Sequence, residues 1–241
     1  VDRHQERTTH LPGYRLLIDE SETSGKRANP LLTLTGPEYQ LQIAVPGFWQ
    51  NFPSSIHHHN QTTAVGLFPP QPDNRLHELQ GGERRTLRCL FSYQDPAVDL
   101  AWAYAPLVPI LPALTYQQAH AFPWFAANTE HDPLSGLLQL GLDGPSNFFA
   151  KRETIDEYGW RNFGDIFADH ECLYQPDDEP PLVSHYNNQY DALYGFARQF
   201  AATGDRRWFE LMNDLASHIA DIDIYHTQKD RSEYNNGLFW H

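Results

Sequence analysis

Two runs of apolar residues at helical spacing meet at Thr203-Gly204-Asp205, and that junction constrains the chain more than any other feature. Tyr190, Leu193, Phe196, Ala197 and Phe200 keep the three-and-four spacing of a core-facing stripe on a helix that begins near Asp191. Trp208, Leu211, Met212, Leu215, Ile219 and Ile222 repeat it. Gly204 suits the left-handed residue that ends a helix, and Asp205 suits the cap of the next one. The pattern predicts an αα-hairpin over 185–223. One hairpin cannot bury both of its faces, so further helices are expected.

The first half has a different period. Leu31–Leu34 and Tyr39–Val45 alternate as half-buried strands do, and Thr63–Phe68 and Thr86–Tyr93 are further short runs. Gly36-Pro37, Pro46-Gly47 and Gly81-Gly82 punctuate them as turns. Short strands at this spacing predict an antiparallel β-sandwich. Residues 1–28 are polar and suit an edge strand plus a loop. Ala97–Ala105 fits either helix or strand. Residues 106–135 are rich in Pro and aromatics without a period, as a connection between domains would be. The expected fold class is multidomain, β then α, with a β-sandwich across 1–135 and a helical domain opening across 136–241.

Composition narrows the function classes. The 241 residues are 40% apolar and include 6 Trp, 12 Tyr and 14 Phe, enough bulk to offset the entropy of ordering, so general disorder is excluded. Lys and Arg number 17 against 31 Asp and Glu, a net charge of −14. An acidic chain without a basic stretch argues against nucleic acid as a partner. No apolar run approaches the roughly 18 residues of a membrane span. Cys89 and Cys172 are too few for a disulfide scaffold. Val1 stands where an initiator Met would, and the chain stops in the aromatic-rich Asn236–His241. It reads as a piece of a longer protein, so its localisation stays open.

Three polar clusters carry candidate chemistry. The densest is Ser184–Asp191, just ahead of the predicted helix. His185, Tyr186 and Tyr190 can move protons, and Asn187 or Asn188 can bind a substrate carboxylate beside the helix N-terminus. The plainer reading is an aromatic loop that caps the helix. The second is Gly159–Asp165 with Asp169-His170-Glu171, where Arg161 can pair with an anion and His170 can act as acid or base. A surface Arg and a structural His account for it equally. The third is Asp221–His226 with Tyr234-Asn235-Asn236. Carboxylates at a helix C-terminus oppose the dipole and imply a partner: a cation, an Arg or a sugar. Asp221, Asp223 and His226 could hold Ca²⁺ only with carbonyls and waters added, so the cofactor stays unknown and no metal set is assigned. His57-His58-His59 point different ways in an extended chain and suit a solvated loop. G-x-S-x-G, H-E-x-x-H, Walker and zinc-type cysteine spacings are all absent.

Several blocks resemble one known family. Phe48–Pro53, Gly66–Pro69 and Glu78–Glu83 are similar to the central β-sandwich of the exo-acting rhamnogalacturonan lyases (polysaccharide lyase family 26 and bacterial relatives). Trp160–Asp165, Asp169–Glu171, His185–Asp191, Thr203–Trp208 and Asp221–His226 resemble the opening of that family's C-terminal α/α-toroid. The blocks run in order from about residue 30 to the end. The chain has Tyr234-Asn235-Asn236-Gly237-Leu238 where the family usually has Tyr-Asn-Gly-Gly-Leu, a departure at a turn. The resemblance implies a β-sandwich followed by the first helical hairpins of a truncated toroid. It implies an enzyme, a lyase that cleaves rhamnogalacturonan or a related pectic polysaccharide by β-elimination at uronic acids, with an acidic polysaccharide as partner. The activity would belong to the full-length parent, the fragment lacking the later hairpins.

The chemistry has an independent logic. A lyase must neutralise the uronate carboxylate, remove the C5 proton and protonate the leaving oxygen. Arg161, Asn187 and Asn188 are candidates for the first task. His170, His185 and His226, with Tyr186, Tyr190, Tyr225 and Tyr234, are candidates for the others, and Trp160 can stack on a sugar ring. Two other readings stand beside it. A glycoside hydrolase on the same scaffold needs two carboxylates, which Asp165, Asp169, Glu171 and Asp191 could supply. A non-catalytic carbohydrate-binding fragment needs neither.

Overall fold

A computed structural model describes residues 13–70, 77, 79–94, 97–127, 133–166 and 190–238. Its strands come first and its longer helices last, and the strand pairs are antiparallel. Among the described residues the strands form three small sheets of two, three and two strands.

β1 (Tyr14–Ile18) and β2 (Ser21–Gly25) make a hairpin within the polar N-terminal stretch. Arg15 clamps Glu22 across it with two hydrogen bonds, at 2.9 and 2.8 Å. β3 (Leu31–Thr35), β4 (Gln40–Ala44) and β7 (Leu90–Tyr93) form the central sheet, with β4 in the middle. The alternation of β4 predicts a half-buried strand, yet Gln42 and Ala44 are buried along with Ile43 and Val45. A short 3-10 turn, Leu100–Tyr104, explains it: Leu100 packs inward and its N–H donates to Gln42 Oε1 at 3.0 Å. The Tyr104 hydroxyl accepts from Val45 N–H at 2.9 Å and donates to the Pro30 carbonyl. β5 (Ser55–His59) and β6 (Thr62–Gly66) flank Asn60-Gln61, both at positive φ as a tight primed turn requires. His57, His58 and His59 therefore lie in a strand rather than a loop, and all three are exposed.

The aperiodic connection holds one short helix, α1 (Ala113–Gln118). Rings of Tyr116, Phe122 and Phe125 gather there and meet Tyr194. A Pro-rich backbone cannot satisfy its own carbonyls, and two arginines do so from the helices. Arg198 donates to the Pro123 and Trp124 carbonyls at 3.0 and 2.9 Å, and Arg206 to that of Pro106 at 3.1 Å.

α2 (Ser135–Asp143) and α3 (Phe148–Ile155) precede the predicted hairpin, which comprises α4 (Ala192–Thr203) and α5 (Arg206–His218). Gly204 has φ +68° and its N–H closes on the Phe200 carbonyl, while Asp205 caps α5 by accepting from Arg207 N–H at 2.9 Å. Leu142, Phe196, Trp208, Leu211 and Leu215 form the buried core, with Phe148, Leu193, Phe200, Met212 and Ile219 packed around it. Tyr190 leaves the stripe: it is 68% exposed, because the chain turns at Asp191 (φ +52°) before α4 begins. Beyond His218 the helix widens into a π-helical turn, Ile219–Asp223, closed by a hydrogen bond from Ile224 N–H to the Ile219 carbonyl at 3.1 Å.

Candidate functional site at the Gln80–Thr86 turn

One tight turn, at Gln80–Glu83, is among the places where the strand-bearing and helical regions meet. Glu83 N–H returns to the Gln80 carbonyl, and the Glu83 carboxylate accepts from Gln80 N–H at 2.7 Å, so the turn is locked twice. Two segments distant in sequence attach to it, and a third attaches to the second.

The first is Trp160-Arg161. Gly159 and Trp160 pair by backbone with Gln50 and Phe52, which fixes this segment against the strand-bearing half. The Trp160 ring meets Phe68 edge-on at 5.4 Å, and the Arg161 guanidinium lies 4.9 Å from the Trp160 ring centre. Arg161 Nη2 donates to Glu83 Oε2 at 3.0 Å. The cation is thus held by the turn, and an incoming anion has to compete with Glu83 for it.

The second segment is Asp221–His226. Asp221 is only 3% exposed. Its carboxylate accepts from Thr86 N–H (2.6 Å), the Thr86 hydroxyl (2.9 Å) and Arg84 Nε (3.3 Å). The partner implied by carboxylates at a helix C-terminus is therefore this loop. His226 N–H donates to the Gly82 carbonyl at 2.9 Å. Its Nε2 lies 2.9 Å from the Ala220 carbonyl. A carbonyl only accepts, so Nε2 carries a proton, and in the neutral ring the lone pair falls to Nδ1. The Tyr225 ring packs over Gly82, whose φ of +89° and missing side chain make room for it: a Cβ there would lie 2.1 Å from the ring. The Tyr225 hydroxyl donates to Asp230 at 3.1 Å, and that bond to a carboxylate raises its pKa.

The third is the turn carrying Tyr234. Tyr225 N–H donates to the Gly237 carbonyl and Asn236 N–H to the Tyr225 carbonyl, which sets this turn beside Tyr225. Asn236 has φ +54°, a conformation that Asn tolerates among side-chain-bearing residues, so the departure from Gly fits the turn.

Trp160, Arg161, Tyr225 and His226 are thus brought together around one turn, and Tyr234 lies in the neighbouring turn that pairs with Tyr225. Tyr190 is not among its contacts and lies exposed ahead of α4. His170, His185, Tyr186, Asn187 and Asn188 lie outside the described residues, as do Asp169 and Glu171. Of the carboxylates considered for hydrolysis, Asp165 is buried beside His218 and Asp191 is exposed. Among the described residues no three His, Cys, Asp or Glu side chains converge on one point as ion ligands. No helix of the described residues is long and apolar enough to cross a membrane.

Sequence reasoning missed Glu83, Thr86 and Asp230, whose partners lie elsewhere in the chain. It also missed His218, although a signal existed. The apolar stripe runs Leu211, Leu215, 218 along α5 and on to Ile222 beyond it, and a histidine at an apolar position of a helix is a buried polar group in need of partners. No known protein family matches the sequence, and no curated protein matches it.

Proposed function

We propose that this chain belongs to a polysaccharide lyase that cleaves rhamnogalacturonan, or a related uronate-containing pectic chain, by β-elimination. In this reading the strands are part of a β-sandwich domain and α2–α5 open an α/α-toroid. The observation that carries the reading is the company kept at the Gln80–Thr86 turn: a cation, an imidazole with its Nδ1 lone pair available, and a phenol held in its protonated form.

Each has a task in elimination. Arg161 offsets the uronate carboxylate, which makes the neighbouring C5 proton more acidic. His226 Nδ1 takes that proton. The electron pair of the broken C5–H bond forms the C4–C5 double bond as the C4–O4 bond breaks, and the leaving oxygen takes a proton from the Tyr225 hydroxyl. The Tyr225 hydroxyl carries its proton at neutral pH, as a donor must, and has to give up its bond to Asp230 to pass that proton on. At the turn Arg161 and Arg84 are each paired with a carboxylate, Glu83 and Asp221, so an acidic substrate binds there by taking a carboxylate's place beside Arg161.

Product analysis tests the proposal. Incubation of the full-length parent enzyme with rhamnogalacturonan and other uronate polymers is expected to give unsaturated uronides that absorb in the near ultraviolet. His226→Gln and Tyr225→Phe are each expected to lower turnover by about a hundredfold or more with an unchanged melting temperature. Saturated products from every polymer would replace the lyase with a hydrolase.

A further inference from the structure

We propose that His218 is a positioning residue: a buried imidazole that draws Asp165 and Asp223 together, and whose loss of a proton loosens the turn that presents Tyr225 and His226. The proposal deepens the functional reading above and rests on it for the role of those two residues.

The geometry is that of a three-part latch. His218 is the last residue of α5 and is 2% exposed. Its Nε2 lies 3.4 Å from Asp165 Oδ2 and 3.3 Å from Asp223 Oδ1. Asp165 ends the segment that carries Trp160 and Arg161. Asp223 ends the π-helical turn that leads into Ile224, Tyr225 and His226. One buried ring therefore joins the two segments that bring site residues to the Gln80–Thr86 turn. Gly164 lets them approach: at φ +102° it has no side chain, and a Cβ there would lie 2.3 Å from the Asp214 carbonyl oxygen and 3.1 Å from His218 Cβ.

The charges facing the ring come from every packed element. Asp165 and Asp223 are the two near carboxylates. One turn back on α5, Asp214 is paired with Arg152 of α3 at 2.8 Å. Arg85, from the candidate turn, opposes a second positive charge. Nδ1 is buried and makes no hydrogen bond among the described residues. An imidazolium between two carboxylates attracts both. A neutral ring has one N–H on Nε2 to offer, and leaves two like charges facing each other across it. Burial favours the neutral ring, but Asp223 and Asp165 outweigh it, and the pKa lies above its ordinary 6.5.

The test uses the full 241-residue chain. The His218 ring is titrated by NMR, and amide exchange is followed at Ile224, Tyr225 and His226, whose N–H groups are bound to the Ile219, Gly237 and Gly82 carbonyls. After correction for intrinsic exchange, protection at these amides is expected to drop about tenfold as His218 loses its proton. Asp223→Asn and Asp165→Asn are each expected to lower the midpoint, and His218→Gln to make protection independent of pH. If His218→Gln fails to fold, the two carboxylate variants still decide. A midpoint at or below 6.5, or equal protection on both sides of it, overturns the latch. Protection that follows His218, with no unsaturated products from the full-length parent on any uronate polymer, leaves the latch standing and removes the lyase. Unsaturated products with pH-independent protection do the reverse.

Discussion

Thr86 holds Asp221 from two atoms at once, its backbone N–H at 2.6 Å and its hydroxyl at 2.9 Å, across 135 residues of sequence. A carboxylate out of water needs its lone pairs filled, and this pair fills them from a single residue while Arg84 adds charge from a more exposed position.

That arrangement predicts a ranking. Asp221→Ala leaves the Thr86 amide without its acceptor and is expected to cost about 3 kcal/mol. Thr86→Val removes one hydroxyl donor, for about 1 kcal/mol. Arg84→Met removes a largely exposed cation, for under about 1 kcal/mol. Urea unfolding of the three variants measures the order, and Arg84→Met as the most damaging would refute it.

Gly82→Ala is expected to lower stability by about 1–2 kcal/mol through its positive φ alone, and further by displacing the Tyr225 ring. The second part vanishes once the ring is gone. A double-mutant cycle with Tyr225→Ala should therefore show the two losses to be less than additive. Simple additivity would mean that the ring does not need the space.

The hairpin turn makes a similar claim on one side chain. Asp205→Ala removes the acceptor for Arg207 N–H and is expected to cost about 1 kcal/mol. Asp205→Asn or Ser keeps an acceptor and should recover most of it. Equal melting temperatures for the Ala and Asn variants would show that the cap is idle.

Stability should also fall as pH rises through neutrality. Burial pushes the Asp214 carboxyl up to about 6 against the pull of Arg152, and His218 also lies above its ordinary value. Both groups hold a proton more tightly folded than unfolded. Their contributions are complete below the unfolded pKa values, 3.8 and 6.5, and are lost as pH climbs through the folded ones. Asp205 and Asp143, held below their ordinary value by Arg207, contribute above it and lose their share in acid. Melting temperature is expected to peak near pH 5 and decline towards pH 8. A profile that rises over this interval would contradict these signs.

The hairpin and most strands were legible because their signals are local. Gly204 and Asp205 announce the turn, and the spacing from Leu193 to Leu215 announces both helices. Tyr190 fits the same spacing yet falls outside, since a stripe says nothing about where the backbone turns away. The burial of Gln42 depended on Leu100, 58 residues on, and no pattern within β4 could reveal it. The site shows the same divide. Trp160, Arg161, Tyr225 and His226 stand out as residue types, but Glu83 and Thr86 gain meaning only once the fold brings Arg161 and Asp221 to them. A carboxylate at a helix C-terminus, as Asp221 is, requires a partner whose identity only the fold supplies.

The π-helical turn makes chain length itself a structural variable. Its closing bond spans five residues rather than four, so Ile219–Asp223 holds one residue more than an α-helical turn would. Deleting that residue would restore an ordinary helix and rotate everything after it by about 100°. Tyr225 would swing off Gly82 and His226 off its carbonyl without any of their atoms having been changed. A substitution here alters one side chain, whereas a codon lost or gained would re-aim a whole segment.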